Sequence, residues 1–532
     1  MKKKIISLAL TAALLLPSLA LFSGCSGDGT VILRVYNWEE YIDDGGEGSY
    51  VYDTLKEELA PDMSHKAFQK WYKKEYGTQL APSIIDDFED WYEETYEKPI
   101  RVEYSTFGTN EDMYNQLKLG VTFDLVCPSE YMIMKLIAED MLEPLSNEFF
   151  VEDNELNYYL NNVSEYIAGV FAEERELDGK TYQLEKYAAG YMWGTTGFIY
   201  NPEKVDFTEN AYWNTLLDTN YKNKVTTKDN VRDSYFVGLA IVHQEELLAL
   251  KEQYENKEIT REDYNEQVTY LMNDTSAETV KKVQDTLIKM KSNLYGFETD
   301  SGKQDMVTGK IWINFAWSGD AVYAMDLAEE QGVELNYYIP DECANLFFDG
   351  WVMPKGANHQ AAEAFINFLS MPENAVRNMY YIGYTSAIAG DEVFEYVEDT
   401  YSAEEGEESE PYDLSYFFGK DFRADEGGAV IYTSPDQLSR QLYAQYPPED
   451  VTPRCAVMNY YGEKDKEINE LWTKVKGETL DAWAIVVICV AAVVIVGGVL
   501  LAKFGGKIDF FRRKPKKGYE LVKQEPYQPK KK

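Results

Sequence analysis

The sequence predicts an α/β protein of two lobes with a cleft between them, followed by a C-terminal transmembrane helix. Three observations lead there. Apolar runs of strand length alternate with amphipathic helical stretches along most of the chain, a pattern of mostly parallel sheets. Two extended, glycine-containing segments, near 191–197 and 347–351, have the character of crossovers that carry the chain to a second lobe and back. An apolar run at 483–504 is long enough to cross a bilayer.

Taken in order, Lys2–Lys4 followed by the apolar run Ile5–Phe22 reads as a secretory leader. It ends in Leu21-Phe22-Ser23-Gly24-Cys25, which resembles a lipobox and makes Cys25 the expected lipidation site, so residues 1–25 are a lipoprotein-type signal peptide. Val31–Val35 is a short buried strand. It ends in Tyr36-Asn37-Trp38-Glu39-Glu40-Tyr41, and ligands of open α/β sheets bind just beyond such strand ends. Aromatic faces and carboxylates together suit an organic cation. A strand end with a Trp plugging the core fits the same window equally well.

Residues 42–83 read as an insertion with helices near 54–58 and 64–76. A helix over Ile84–Tyr96 and a strand over Pro99–Ser105 then complete a β-α-β unit. Thr109 and Asp112 form a capping pair. The strand Phe123–Val126 runs into Pro128-Ser129-Glu130-Tyr131, a second polar-aromatic strand end. Asp229–Asp233 precedes a helix over Ser234–His243, where Asp233 is as well explained by a cap as by a ligand. Residues 244–292 read as a solvated helical pair. Ile311–Phe315 leads into Trp317-Ser318-Gly319-Asp320, a third such strand end. Asp465–Lys476 is the last helix before the apolar run.

Charge is unevenly spread. The chain totals −41, yet residues 503–532 carry +8 and the leader +3, leaving the body between at −52. Such a body repels nucleic acid. The basic flank after the apolar run places the tail 505–532 in the cytoplasm and the body outside it. Cys127, Cys343 and Cys455 stand apart, and no paired-cysteine motif suggests a metal or a redox cofactor; a disulfide among the three is compatible with the sequence.

Several stretches together, in order, carry a family likeness. They are Tyr36–Tyr41, Tyr104–Tyr114, Asp124–Ser129, Tyr191–Gly197, Trp317–Asp320 and Ala364–Leu369. The set resembles the spermidine/putrescine-binding proteins of ABC importers. The resemblance implies a two-lobe, type II periplasmic-binding-protein fold with hinge crossovers that closes on a polyamine and delivers it to an ABC permease. It implies the division 31–192 and 349–400 for one lobe, 193–348 and 401–478 for the other. Carried over residue by residue, it implies ligand contacts from Trp38, Glu39, Tyr41, Ser129, Tyr131, Asp233, Thr299, Trp317, Asp349 and Tyr384. Asn230 and Phe347 stand where the family has a carboxylate and a Trp, and Glu39 where Ser or Thr is usual, which bears on which amine is preferred.

Three rival readings stand beside this one. An enzyme has no positive sign: His65, His243 and His359 are scattered, and no metalloprotease, nucleotide-binding or nucleophile-elbow motif is present. Asn230 and Glu39 suit the same fold binding a different small ligand, and the apolar run at 483–504 suits a membrane-anchored sensor or surface protein.

Overall fold

The structure, a computed structural model, describes residues 29–77, 80–151, 154–177, 179–207 and 211–477. The leader with Cys25, the apolar run 483–504 and the tail 505–532 lie outside them. Among the described residues no helix is long and apolar enough to cross a membrane.

Strand β1 (Val31–Trp38) buries Leu33, Val35 and Tyr36 and is the parallel partner of both β2 (Ile100–Phe107) and β3 (Leu125–Val126). Parallel neighbours need a long crossover. Here it consists of α1 (Tyr50–Leu59), α2 (His65–Tyr76) and α3 (Ile84–Tyr96). The first two close over a small core of their own, built on Tyr52 and Phe68. The third begins in a capping box between Ser83 and Asp86 and buries Ile84, Phe88 and Tyr92. Phe88 packs edge-on against Phe365 at 4.8 Å. Arg377 pins the base of this crossover by pairing with Asp43 at 3.0 Å and Asp87 at 2.7 Å. Helices α4 (Asn110–Lys118) and α5 (Glu130–Ala138) follow β2 and β3.

The other strands on the main path of the large sheet, with one short partner, are β4 (Ala188–Tyr200), β5 (Val225–Lys228), β6 (Gly296–Glu298), β7 (Ile313–Trp317), β8 (Asn336–Tyr338) and β9 (Ala344–Pro354). The main path of the sheet runs β2-β1-β3-β9-β4-β7-β5-β6, with β8 paired to β4. Both β4 and β9 are buried at every residue. Along that path four of the seven neighbouring pairs are parallel, as expected, and the central three are not. The β4–β9, β9–β3 and β4–β7 pairs are antiparallel, because one crossover carries the chain away and the other brings it back alongside. Along the path the parallel pairs lie on the flanks, β1–β2–β3 and β7–β5–β6; off it, Ala344 and Asn345 of β9 pair in parallel with Cys455 and Ala456.

Two large cores result. One gathers Leu33, Val126, Trp193, Trp351 and Phe365; the other gathers Phe198, Trp213, Tyr235, Phe315 and Leu471. Helix α6 (Val231–Val242) begins three residues earlier than its apolar pattern suggests, because Asn230 caps it by accepting from the Asp233 N–H. The segment 244–292 forms three helices rather than two: α7 (Gln244–Glu255), α8 (Arg261–Leu271) and α9 (Ala277–Lys291). They are not merely solvated, since Tyr264, Val268, Val283, Leu287 and Met290 are buried. Gly238 lets α9 approach α6, as a Cβ there would stand 2.5 Å from Val283 Cγ1. Two further helices matter to the site, α10 (Ser318–Glu329) and α11 (Asp465–Lys476). Cys127, Cys343 and Cys455 are buried free thiols, so none of them forms a disulfide with another.

Candidate functional site

The central residue is Asp349, placed where β9 bulges: its register against β4 shifts between Asp349 and Gly350. Bulges re-aim side chains beside functional sites. The carboxylate is buried, and two hydroxyls hold it. Ser129 Oγ donates to Oδ1 at 2.7 Å and Tyr41 Oη to Oδ2 at 2.8 Å. Trp38 Nε1 makes no well-aligned hydrogen bond but stands near enough to favour the anion. Burial outweighs these donors and pushes Asp349 up to about 6. Glu130 is buried close by. Burial, and then the Asp349 charge, push it up to about 8.

The donors are themselves held. The Tyr41 carbonyl accepts from Tyr191 Oη at 2.9 Å and from Asn37 Nδ2 at 3.1 Å. Asn110 Nδ2 donates to Ser129 Oγ and to Tyr131 Oη, each at 3.1 Å, while its Oδ1 accepts from the Ser129 N–H. Such an outer layer fixes geometry before a ligand arrives.

Tyr384 links this end to the next. Its ring lies edge-on to Tyr41 at 5.4 Å, and its hydroxyl donates to Asp320 Oδ1 at 3.3 Å. Gly319 makes room for that ring, since a Cβ would fall 2.0 Å from Tyr384 Cδ2. Trp317 ends β7 and Asp320 lies in the first turn of α10. Against the Trp317 ring, 4.2 Å from its centroid, stands the ammonium of Lys228, the last residue of β5. Lys228 Nζ donates to Asp320 Oδ2 at 2.9 Å and to the Thr299 carbonyl at 2.8 Å. Burial alone would raise Asp320, but the Lys228 and Lys303 ammoniums prevail and hold it below the usual carboxylate range. Asp233 accepts from Asn230 Nδ2 at 2.5 Å and interacts with Trp317; burial raises it all the same.

Arg232 joins the two cores. Its guanidinium lies between the rings of Tyr131, 4.3 Å away, and Tyr461, 3.9 Å away, and it donates to the Asn459 carbonyl. Nearby, Lys135 Nζ of α5 donates to Asp465 Oδ2 of α11 at 3.0 Å.

The sequence profile of the bacterial extracellular solute-binding protein family matches residues 83–392, more than half of the chain. The chain belongs to this family. The solute-binding protein is 28% identical over 319 residues to the putrescine-binding periplasmic protein PotF of Escherichia coli, covering 58% of this chain and 75% of the relative. It is 24% identical over 328 residues to the spermidine/putrescine-binding periplasmic protein of Salmonella typhimurium, covering 61% and 78%. Among solved structures, the TpPotD lipoprotein of Treponema pallidum aligns with a TM-score of 0.52 at 16% identity, covering 84% of this chain and 99% of that one. PotD of Streptococcus pneumoniae, a spermidine/putrescine ABC transporter substrate-binding protein, aligns with a TM-score of 0.50 at 24% identity and the same coverage. These likenesses show the α/β periplasmic-binding-protein fold. The family is extracellular and binds solutes, so the binding body is extracytoplasmic and is not an enzyme.

Within the solute-binding protein, the sequence-predicted residues are mostly brought together. Trp38, Tyr41, Ser129 and Asp349 form one group, and Trp317 and Asp233 another, with Tyr384 between them. Tyr131 stacks on Arg232, and Thr299 contributes its backbone carbonyl while its side chain is exposed. Glu39 stands exposed at the turn after β1. Lys228, Asp320, Asn110 and Arg232 were not singled out from the sequence. Asp320 had a signal, since it closes the Trp317-Ser318-Gly319-Asp320 stretch. A lysine ending a short strand carried none.

Proposed function

We propose that this chain captures an aliphatic amine of the polyamine class in an interlobe cleft and delivers it to an ABC permease. The observation that carries the reading is Asp349: a buried carboxylate, held by two neutral hydroxyls, at the end of an aromatic wall of Trp38, Tyr41, Tyr384 and Trp317. An ammonium entering there exchanges water for a carboxylate and ring faces, and each interaction strengthens as closure excludes solvent. The names of the relatives, putrescine- and spermidine/putrescine-binding proteins, point the same way. The proposed fold is the type II, two-lobe form: residues 31–192 and 349–400 in one lobe and 193–348 and 401–478 in the other. Both boundaries between the first three segments fall within β4 and β9, which suits a hinge. The test is calorimetry on the full chain, purified in mild detergent, with putrescine, spermidine and N-acetylputrescine. Micromolar binding of at least one amine, abolished in Asp349→Asn, is expected. Failure of all three to bind overturns the reading.

The reading extends to the membrane. Acylation at Cys25 and a span at 483–504, with the basic tail in the cytoplasm, would tether the body at both ends. Cys25→Ser should lose incorporated fatty acid yet stay in the membrane fraction, and its release into the soluble fraction would sink the second anchor.

A further inference from the structure

The half of the cleft around Trp317 already contains an ammonium. Lys228 is 1% exposed, and its surroundings are those a free amine would seek. Nζ lies 4.2 Å from the Trp317 ring centroid, donates to Asp320 Oδ2 and the Thr299 carbonyl, and stands 3.5 Å from Glu298 Oε1. Two of the ammonium's three N–H bonds are thus taken by hydrogen bonds, and the Glu298 carboxylate and the ring face lie beside the third. Glu298 is itself fixed, accepting from the Gly302 N–H at 2.7 Å and from Asn314 Nδ2 at 2.9 Å.

The buried carboxylates at this end already face cations. Asp320 has Lys228 at 2.9 Å and Lys303 at 3.4 Å, Glu298 has Lys228, and Asp233 feels both Lys228 and Arg232, while Lys303 and Arg232 also reach Asp300 and Asp465. The other end differs. The groups acting on Asp349 are neutral hydroxyls and an indole, not cations. One end of the cleft therefore has a buried carboxylate with no cation beside it, and at the other each buried carboxylate already has one from the protein.

We infer that Lys228 is the protein's own stand-in for a second ligand ammonium, so that the cleft selects an amine with one ammonium, seated at Asp349, and an uncharged far end. This rests on the proposed amine-binding function and narrows its substrate class to mono-N-acylated diamines and similar singly charged chains. A diamine or triamine must bring a second ammonium toward Lys228 and Lys303, and like charges in a desolvated site oppose binding.

The full chain in detergent is titrated calorimetrically with N-acetylputrescine, putrescine and spermidine, as wild type, Lys228→Met and Lys228→Arg. The wild type is expected to bind N-acetylputrescine at least about tenfold more tightly than putrescine or spermidine. Lys228→Met, which keeps the side-chain length but leaves Glu298 without its cation and Asp320 with Lys303 alone, should erase or reverse that order. Lys228→Arg, which keeps the charge, should preserve it. If Lys228→Met does not fold, the wild-type order still decides. Putrescine or spermidine binding as tightly as N-acetylputrescine in the wild type overturns the inference and leaves the amine reading standing. A preference unchanged in a folded Lys228→Met overturns the assignment to Lys228. Binding of no amine by the wild type overturns both.

Discussion

Tyr41 and Asp349 are separated by 308 positions in the chain and joined by one hydrogen bond, Tyr41 Oη to Asp349 Oδ2 at 2.8 Å. The bond ties the end of the first strand to the returning crossover. It also leaves Asp349 poised, because burial pushes the carboxyl up to about 6 despite the Tyr41 and Ser129 donors. An ammonium requires the anion. Affinity should therefore fall about tenfold per pH unit below about 6 and level off above it. The empty protein should behave oppositely. Its folded state keeps the proton that the unfolded chain releases near 3.8, so this group's contribution to stability grows as pH falls from about 6 toward that value. Calorimetry and thermal melts across that window measure both trends; an affinity flat from pH 5 to 7 would show that Asp349 is not the ammonium's partner.

Removing only the Tyr41 hydroxyl isolates its role. Tyr41→Phe keeps the ring against Tyr384 and Tyr191 but takes a donor from the Asp349 anion. A hydrogen bond to a charged group contributes about 1.5–3 kcal/mol, so the anion forms less readily and affinity at neutral pH should drop by about two- to tenfold. The midpoint of the pH dependence should move upward. Weaker binding with an unmoved midpoint would assign Tyr41 to shape alone.

The sequence carried more of this site than of the fold around it. Tyr36–Tyr41, Ser129–Tyr131 and Trp317–Asp320 each follow an apolar run directly, so their position at strand ends is local information, and the structure gathers Tyr41, Ser129 and Trp317 there with Asp349 and Tyr384. Strand direction is not local. Nothing in Ala188–Tyr200 or Ala344–Pro354 says that they run antiparallel side by side. Lys228 was equally hidden, because its burial depends on Glu298 and Asp320, the latter 92 positions away. The third helix of 244–292 was lost for a different reason: its charged face at Lys281, Lys282 and Asp285 masked the buried stripe of Val280, Val283, Leu287 and Met290.

Gly319 offers a test that touches no ligand-facing polar group. An added Cβ would lie 2.0 Å from Tyr384 Cδ2 and 2.2 Å from Cε2, so the ring must leave its place. Tyr384 would then lose both Asp320 and the edge of Tyr41. Gly319→Ala should cost about 1–3 kcal/mol in stability from overpacking and weaken amine binding beyond what that loss alone accounts for. The double variant Gly319→Ala with Tyr384→Ala should be no less stable than Tyr384→Ala alone, since the ring that clashes is gone, and should not recover the binding. Full binding by the single variant, measured calorimetrically, would remove Tyr384 from the aromatic wall.

The last prediction concerns closure. Lys135 of α5 packs with the first core, while Asp465 opens α11, whose Ile468, Leu471 and Val475 belong to the second; their ion pair at 3.0 Å bridges the two. Both side chains are partly exposed, so the pair contributes about 1 kcal/mol or less. That is enough to bias a hinge when binding competes with opening. Lys135 stays anchored without its partner, stacked between Tyr114 at 4.7 Å and Tyr460 at 5.3 Å. Asp465→Asn also removes the carboxylate 3.9 Å from Arg232, but Arg232 keeps the Tyr131 and Tyr461 rings and the Asn459 carbonyl. The variant should therefore leave the fold and the association rate unchanged and speed ligand release by about fivefold or less, the rate equivalent of that bias. Stopped-flow tryptophan fluorescence reads both rates. The wild-type release rate should rise toward the variant's as salt is added, because screening weakens the same pair. A variant whose release rate matches the wild type at low salt would mean that Lys135 and Asp465 do not hold the cleft shut.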